Sequence, residues 1–218
     1  MRILLADDHT VVRRGLKQIL AHAFKRAVFG EASNTQETLD LVRKEHWDIL
    51  VLDITMPGRS GLEVLRELKR LLPRLPVLVL SIHPEDQFAT RVLKLGAAGY
   101  MTKESAAEEL VGAVKKVLAG GRYVSAWLGE SLATNLSRDT VKPPQELLSD
   151  REFQVLRLIA SGRIVSEIAR ELALSVKTIS TYRTRILEKM GLRNNAEIMH
   201  YAMQHQLVEM TPAEFSSP

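Results

Sequence analysis

Five short apolar segments, separated by stretches with helical periodicity, constrain the fold of this chain more than any other feature. They are Arg2–Ala6, Ala27–Ala32, Ile49–Leu52, Val77–Leu80 and Gly99–Met101. Strands that are apolar throughout, rather than at alternate positions, are typical of a parallel sheet covered on both faces. Strands alternating with helices give the same indication. Residues 1–121 are therefore predicted to form a doubly wound α/β domain around a five-stranded parallel sheet.

The intervening helices are indicated by apolar residues three or four positions apart. The apolar faces are Val12, Leu16, Ile19 and Leu20; Leu39 and Val42 within Thr35–Glu45; and Val64, Leu65, Leu68 and Leu72 before Pro73. A last helix over residues 104–119 is predicted to end at Gly120-Gly121, because glycine favours a helix C-terminus.

Acidic residues stand at the ends of two of the predicted strands. Asp7-Asp8 follow the first strand, and Asp53 follows the third. In the flavodoxin-like strand order 2-1-3-4-5 these two strands are neighbours, and ligands bind at the carboxyl edge where the order reverses. Three carboxylates in one place repel one another unless a cation lies among them. The sequence therefore predicts a metal site, and hard oxygen ligands with room for water suit Mg²⁺.

Two further strand ends supply groups that bind phosphate. Ser81 follows the fourth strand and Lys103 follows the fifth. A hydroxyl and an ammonium group can both contact phosphoryl oxygens. Asp53 stands alone after the central strand and is the candidate nucleophile, whereas Asp7 and Asp8 are candidate metal ligands.

Simpler interpretations of the single residues stay open. Asp7-Asp8 could cap the following helix, Ser81 could belong to a turn, and Lys103 could be solvated. We interpret His9 and His83 as loop residues rather than metal ligands.

The sequence changes character after residue 121. Tyr123–Leu136 has the pattern of a short helix, and Ser137–Gln145, which is polar and contains two prolines, is predicted to be a linker. Every later pattern is helical. Ser149-Asp150-Arg151-Glu152 is a capping box that begins one helix. The helices after it are predicted over about Ser166–Leu172, Val176–Met190 and about Ala196–His205.

Ser166–Met190 has the proportions of a helix-turn-helix, with a turn at Ala173-Leu174-Ser175. Residues 123–218 balance 11 basic against 11 acidic residues, but residues 177–193 carry a local net charge of +4. Ser175 would cap the second helix, whose positive end favours a phosphate. The alternative to a DNA-binding helix is a solvated amphipathic one.

The candidate DNA contacts divide by side-chain chemistry into base readers and phosphate contacts. The base readers are Ser180, Thr181 and Thr184; the phosphate contacts are Lys177, Thr178, Arg185 and Lys189; Arg183 suits either role.

The composition of the 218 residues excludes several classes of protein. There is no cysteine, so neither a disulfide framework nor a Cys-ligated zinc site is possible. No apolar run approaches the length of a membrane span, and the N-terminus shows no signal-like apolar region. A cytoplasmic protein without a membrane partner is expected.

The residues at the strand ends resemble a known family. The set Asp7-Asp8, Asp53–Gly58, Ser81, Tyr100 and Lys103 is similar to the receiver domain of bacterial two-component response regulators, over about residues 1–121. The resemblance implies that Asp53 accepts a phosphoryl group from a sensor histidine kinase. It also implies that Mg²⁺ binds Asp8, Asp53, the carbonyl of Thr55 and, through water, Asp7. Ser81 and Tyr100 would be the switch pair, with the hydroxyl moving to the phosphoryl group and the ring turning inward.

The helical region resembles the LuxR-type DNA-binding domain, on Leu148–Glu152, Val155-Leu156, Ile168-Ala169 and Ser175–Ile179. With the receiver, the chain resembles the NarL/FixJ subfamily, which implies a phosphorylation-activated transcriptional regulator that binds double-stranded DNA as a homodimer. The implied organisation is a receiver domain over 1–121, a connecting helix and linker over 122–146, and a four-helix, all-α helix-turn-helix domain over 147–210.

Three details of the helical region bear on this resemblance. Such domains dimerise through their last helix, which places the expected interface at Ala196–Ala202 and Met203. Ala173 stands where many helix-turn-helix turns carry Gly. Arg163-Ile164-Val165 replaces a stretch that is more polar in many relatives.

Two other classes of function fit parts of the sequence. A metal-dependent phosphatase or phosphotransferase could use Asp53 as its nucleophile, but Asp53-Ile54-Thr55 lacks the second acid, two positions on, that haloacid-dehalogenase-type sites require. The chain is therefore not expected to be an enzyme. The other alternative is a receiver whose helical region binds protein, which would show no salt-dependent DNA binding.

Overall fold

The computed structural model describes residues 1–56, 61–82, 85–126, 128–130, 144–205 and 207–208. Contacts between residues divide the chain into two units, Met1–Asp139 and Thr140–Pro218. Parts of two predicted elements lie outside the described residues. These parts are residues 131–136 of the helix predicted over Tyr123–Leu136 and residues 137–143 of the linker predicted over Ser137–Gln145. None of the described helices is both long enough and apolar enough to cross a membrane.

The first unit is built on five parallel strands. They are β1 (Arg2–Ala6), β2 (Val28–Ala32), β3 (Ile49–Asp53), β4 (Val77–Ser81) and β5 (Gly99–Thr102). Their order is β2-β1-β3-β4-β5, which confirms the predicted flavodoxin-like topology. Three strands extend one residue beyond their predicted ends, because Asp53 pairs with Leu80 and Ser81 pairs with Thr102. The polar residues at this edge are thus held by the sheet itself.

Five helices cover the two faces of the sheet. They are α1 (Thr10–Ala23), α2 (Thr35–Lys44), α3 (Gly61–Leu71), α4 (Glu85–Lys94) and α5 (Ala106–Leu118). The periodicity analysis singled out α1, α2, α3 and α5 but not α4. The short α4 buries Phe88, Ala89 and Val92, and an apolar face of three residues, one of them alanine, is a weak signal.

The core is divided by the sheet into two layers. Ile3, Leu5 and Val51 pack in one layer with Leu16 of α1 and Leu110 of α5. Alternate strand residues are buried on the opposite face, since successive side chains of a strand point to opposite sides. All residues of β3 and β4 are buried. In these two strands the polar side chains therefore stand at the carboxyl ends, at Asp53 and Ser81.

The described residues of the second unit form four α-helices preceded by a short 3₁₀ helix at Pro144–Leu147. The helices are α6 (Asp150–Ala160), α7 (Val165–Glu171), α8 (Val176–Met190) and α9 (Asn195–Gln204). The predicted capping box is confirmed, because the Ser149 side chain accepts from the backbone N–H of Glu152 and the Glu152 side chain accepts from that of Ser149. The predicted bounds of α8 are also confirmed, with the Ser175 side chain accepting from the N–H of Thr178.

The turn between α7 and α8 contains a left-handed residue. Ala173 has a φ of 52°. This left-handed backbone conformation costs a residue with a Cβ roughly 1–2 kcal/mol of conformational free energy. This backbone conformation explains why glycine is common at the corresponding position of such turns, and alanine keeps the turn at some cost in stability.

The chain after α5 returns to the edge of the sheet. Tyr123 forms a parallel bridge with Gly99 on β5, and its N–H donates to the carbonyl of Ala98 at 2.8 Å. The approach is so close that a Cβ on Gly99 would lie 2.7 Å from the Tyr123 carbonyl oxygen. The Tyr123 hydroxyl also donates to Glu109 of α5. The segment therefore covers one end of an edge strand.

A second anchor follows a few residues later. The Ser125 hydroxyl donates to the Glu85 carboxylate at the start of α4 and accepts from the N–H of Leu128 at 3.1 Å. Leu128 is 1% exposed. The segment that leaves the sheet thus contacts both α4 and α5.

Replacing Gly99 with alanine tests this contact. We expect Gly99→Ala to lower the free energy of unfolding of the first unit by about 1–3 kcal/mol, because the added methyl group forces the Tyr123 backbone outward. Urea unfolding followed by tryptophan fluorescence measures it, since both tryptophans, Trp47 and Trp127, belong to this unit.

The matched control is Gly112→Ala, which makes the same change within α5 where no atom lies within 4 Å of the added carbon. That variant should gain up to about 1 kcal/mol from helix propensity. A Gly99→Ala protein as stable as the wild type would contradict the described packing.

Candidate functional site

The predicted acidic residues meet at the carboxyl edge of the sheet. β1 and β3 are neighbours, so Asp7 follows β1 beside Asp53 at the end of β3. Both residues are 1% exposed, whereas Asp8 is partly exposed. Ligand atoms of Asp7, Asp8, His9 and Asp53 all lie within 4.8 Å of one another. The structure thus brings together the three carboxylates identified from the sequence.

Lys103 lies between the two buried carboxylates. Its Nζ is 2.6 Å from Oδ2 of Asp53 and 2.8 Å from Oδ2 of Asp7. The backbone holds the residue in place, because its N–H donates to the carbonyl of Ser81 at 2.8 Å. Burial lowers the pKa of Lys103, but Asp53 and Asp7 raise it by more, so the pKa stands above its ordinary value. The ammonium group therefore remains charged in this buried position.

Thr55 fixes the orientation of the Asp53 carboxylate. Its backbone N–H donates to Oδ1 of Asp53 at 2.7 Å, and its hydroxyl donates to the same oxygen. Asp53 is therefore held on one oxygen by Thr55 and on the other by Lys103. Thr55, predicted as a metal ligand through its carbonyl, lies in the loop directly after β3.

The site retains oxygens suited to a metal ion. Within the described part of the chain, Oδ2 of Asp7 and Oδ1 of Asp8 are buried and accept no hydrogen bond. Lys103 Nζ approaches the first at 2.8 Å, and His9 Nδ1 approaches the second at 2.9 Å, without hydrogen-bond alignment. Buried acceptors normally have a partner, and hard carboxylate oxygens are the ligands that Mg²⁺ prefers. The residues present therefore fit Mg²⁺.

The helix-cap interpretation of Asp7-Asp8 is not supported. The N-cap of α1 is His9, whose side chain makes no capping hydrogen bond. Oδ1 of Asp7 instead accepts from the backbone N–H of His9 at 2.8 Å. This hydrogen bond stabilises the turn that follows β1.

The two predicted switch residues are both buried. Ser81 and Tyr100 are each 0% exposed. They lie on adjacent strands, where Val79 pairs with Tyr100 and Ser81 pairs with Thr102. The Tyr100 ring is therefore already directed inward in this structure. His83, interpreted above as a loop residue, lies outside the described residues.

Arg13 is a site residue that the sequence analysis missed. Its Nη1 donates to the Asp7 carbonyl at 2.6 Å, and its Nε donates to Glu31 at 3.1 Å. Lys17 also donates to Glu31, and this hydrogen bond lowers the Glu31 pKa despite partial burial. An arginine on α1 looks solvated in sequence, because its partners, Asp7 after β1 and Glu31 on β2, are revealed only by the fold.

The predicted DNA-binding residues lie along α8. Its buried side is formed by Ile179 and Ile186. Exposed are Ser175, Lys177, Ser180, Thr181, Thr184, Arg185 and Lys189, while Thr178 and Arg183 are half-buried. The hydroxyls of Ser180, Thr181 and Thr184 donate to carbonyls four residues earlier at 2.9, 2.9 and 3.1 Å. Because each hydroxyl proton is directed to the backbone and the residues are exposed, the hydroxyl oxygens keep lone pairs that can accept from base amino groups.

Two members of the predicted set are engaged within their own domain. Lys189 Nζ lies 2.6 Å from Oε2 of Glu152, which is 2% exposed. Arg183 Nε donates to Asn195 at 2.6 Å. Burial raises the pKa of Glu152, but hydrogen bonds from Lys189 and Ser149 lower it by more. The Lys189 ammonium thus compensates a buried carboxylate and joins α8 to α6, while its contact with a DNA phosphate stays a prediction.

Comparison with known proteins agrees with both halves of this geometry. Residues 3–115 match the family described as response regulator receiver domain, and residues 146–202 match bacterial regulatory proteins of the luxR family. The response regulator GacA of Pseudomonas viridiflava is 39% identical over 96% of this chain and 98% of its own length. The response regulator UvrY of Escherichia coli K12 is 34% identical over 95% of each.

A solved structure is similar to the whole chain. RcsB of Salmonella enterica serovar Typhimurium, bound to a promoter in the presence of the phosphomimetic BeF3⁻, is 29% identical with a TM-score of 0.67, covering 94% of this chain and 98% of that one. The fold, the acidic site and these relatives define a phosphorylation-dependent, DNA-binding transcription regulator. The chain belongs to the NarL/FixJ family of two-component response regulators, with a receiver domain followed by a LuxR-type domain.

Neutralising Lys103 tests the charge balance of the site. In the absence of divalent ions, Lys103→Gln should lower the free energy of unfolding of the first unit by roughly 3–5 kcal/mol, because two buried carboxylates lose their shared cation. Mg²⁺ should restore more stability to this variant than to the wild type, since the ion replaces the missing charge.

Tryptophan fluorescence during urea unfolding, with EDTA or with Mg²⁺, measures both effects. Lys116→Gln, on the exposed side of α5, is the control and should behave like the wild type in both buffers. Equal stabilisation of Lys103→Gln and wild type by Mg²⁺ would contradict the proposed balance.

Proposed function

We propose that Asp53 is the phosphoacceptor and that the donor is a phosphohistidine of a sensor histidine kinase. The observation that carries the proposal is the placement of the Lys103 ammonium against the Asp53 carboxylate at the strand edge. A carboxylate oxygen of Asp53 attacks phosphorus, and the bond from phosphorus to the histidine nitrogen breaks. The imidazole of the kinase is the leaving group, and the product on Asp53 is an acyl phosphate. Lys103 is then positioned to contact the new phosphoryl oxygens.

The proposed Mg²⁺ ligands are Asp8, Asp53, the Thr55 carbonyl and, through water, Asp7. When bound, the ion neutralises charge on the transferring phosphoryl group. Support comes from the oxygens of Asp7 and Asp8 that accept no hydrogen bond.

The remaining residues convert this charge change into a signal. Phosphorylation removes the carboxylate charge that Lys103 contacts and adds a phosphoryl group that the Ser81 hydroxyl can approach. Tyr100, buried one strand away, is the proposed second member of the switch. Moving an equilibrium from nearly all inactive to nearly all active requires about 5 kcal/mol of differential stabilisation, which new contacts from Lys103 and Ser81 would largely supply.

We propose that the chain does not turn over free phosphoesters. Asp53 is 1% exposed, and Thr55, two positions later, offers an N–H and a hydroxyl rather than an acid that could protonate a leaving group. The site is suited to holding one phosphoryl group, not to releasing an alcohol product.

The output we propose is DNA binding in the bacterial cytoplasm as a homodimer. Ser180, Thr181 and Thr184 would read bases, while Lys177, Thr178, Arg185 and Lys189 would contact phosphates. Arg183 would serve either role, and Ser175 would cap the helix end that faces a phosphate. RcsB, to which the chain is similar, was solved on promoter DNA.

The expected dimer face on α9 needs a correction at two positions. Ile198 and Ala202 are each 0% exposed and pack inside their own domain, so they cannot contribute to an interface. Within the expected face, the exposed residues are Ala196, His200 and Met203.

Asp53→Asn tests the phosphoacceptor. We expect the variant to take up no label from radioactive acetyl phosphate with Mg²⁺, because an amide is not a nucleophile for this step. Asp40→Asn, a surface carboxylate on α2, should be labelled like the wild type. Labelling that persists in Asp53→Asn would place the phosphoryl group elsewhere, and steady release of phosphate from p-nitrophenyl phosphate would favour the enzyme alternative.

Single alanine substitutions on α8 separate base reading from phosphate contact. Lys177→Ala should weaken binding to all sequences and reduce the salt slope by about 1. Thr181→Ala should cost about 1–3 kcal/mol on the best site and much less on unrelated DNA.

Fluorescence anisotropy over a salt series, with genomic fragments selected by the phosphorylated wild type, measures both quantities. Lys116→Ala on the receiver should leave the slope unchanged. Salt-independent binding, or no binding, would favour the protein-interaction alternative.

A further inference from the structure

His9 belongs to the acidic site, although the sequence suggested a loop residue. It follows Asp7-Asp8 directly and is the N-cap residue before α1, but its side chain makes no capping hydrogen bond and is 61% exposed. The local hydrogen bonds of His9 are made by its backbone. Its N–H donates to Asp7, and its carbonyl accepts from the N–H of Arg13 at 3.0 Å. The fold therefore does not require the imidazole.

The imidazole nevertheless lies at a spacing typical of metal ligands. Its Nδ1 is 2.9 Å from Oδ1 of Asp8 and 3.4 Å from Oδ1 of Asp7. Ligands about 2.1 Å from an octahedral ion lie about 3.0 Å apart when adjacent and about 4.2 Å apart when opposite. The ligand atoms of His9 and the three aspartates fall within 4.8 Å of one another, so a small adjustment would bring all four around one ion.

Oδ1 of Asp8 is buried and accepts no hydrogen bond, and the ring nitrogen of His9 lies 2.9 Å from it. Carboxylate oxygens and imidazole nitrogens both bind metal ions, and this separation suits two adjacent ligands of one cation.

We infer that His9 is a nitrogen ligand that gives this site a second metal preference, for borderline divalent ions such as Ni²⁺ and Zn²⁺. Mg²⁺ takes oxygen ligands and would use the aspartates, whereas imidazole suits Zn²⁺, Cu²⁺ and Ni²⁺. The inference rests on the proposed Mg²⁺ site and adds a ligand to it. An ion bound by His9 and the aspartates would occupy the proposed Mg²⁺ site, so it would compete with Mg²⁺. It would also have one coordination position fewer for a phosphoryl oxygen.

Two other histidines of the receiver provide a comparison. His22 lies in the last turn of α1, and His46 lies in the connection before β3, at the opposite edge of the sheet from Asp53. Neither belongs to the cluster of possible metal ligands found among the described residues. His22 is exposed, as His9 is, and therefore offers a matched control.

Isothermal titration calorimetry on the full chain without an affinity tag tests the inference, with NiCl₂ and MgCl₂ as probes. We expect His9→Asn to weaken Ni²⁺ binding about ten-fold or more and to leave Mg²⁺ binding unchanged. His22→Asn should bind both ions like the wild type. Asp53→Asn should weaken both, which assigns the measured ion to this site.

Three results would overturn the inference: Ni²⁺ affinity unchanged in His9→Asn, equal weakening of both ions, or Ni²⁺ affinity unchanged in Asp53→Asn. Each of these leaves Mg²⁺ binding by the wild type intact and so leaves the proposed function standing. Failure of the wild type to bind Mg²⁺ at all would instead remove the proposed metal site, and the inference with it. Circular dichroism of each variant confirms that the fold is retained.

Discussion

The contact of one ammonium group with two buried carboxylates is the interaction on which the receiver depends. The central strands β3 and β4 are buried along their whole length because helices cover both faces of the sheet, so charge enters this part of the sheet only where the strands end. Asp7, Asp53 and Lys103 come from three different strand ends, and β1 and β3 must be neighbours for these groups to meet. The same topology that builds the core therefore builds the site, and the cost of burying its charges is met by their pairing.

The DNA-binding domain also contains a buried carboxylate that is paired with a lysine. Glu152 is nearly inaccessible to solvent, yet it accepts from the Ser149 N–H at 2.7 Å and from Lys189 at 2.6 Å. One carboxylate thus begins α6 and anchors the end of α8. Since the ends of α8 are fixed by Glu152 and by the Ser175 cap, its exposed hydroxyl and basic side chains are presented on a rigid element.

Local signals in the sequence predicted a large part of this structure. Continuous apolar runs located the five strands, the acids at their ends indicated the strand order, and the Ser149 and Ser175 caps located two helices to the residue. The missing parts depend on partners far apart in the chain. The weak apolar face of α4, the contact of Arg13 with the Asp7 carbonyl and the pairing of Lys189 with Glu152 have no pattern within their own segments. The nearness of the His9 ring to Asp7 and Asp8 is of the same kind, because a histidine after a strand carries no sign of which neighbours its ring will face.

The bridge between Tyr123 and Gly99 has a consequence for how the receiver exists by itself. A fragment that ended at residue 121, where the strand–helix alternation stops, would lack the segment that pairs with β5 and buries Leu128. The outer N–H and C=O groups of that strand would be open at one end, and such unprotected edges are templates for adhesion between molecules. The receiver as a folded unit therefore extends past the family match, which ends at residue 115, to at least Leu128, and a fragment cut at residue 121 would expose a strand edge that the whole chain covers.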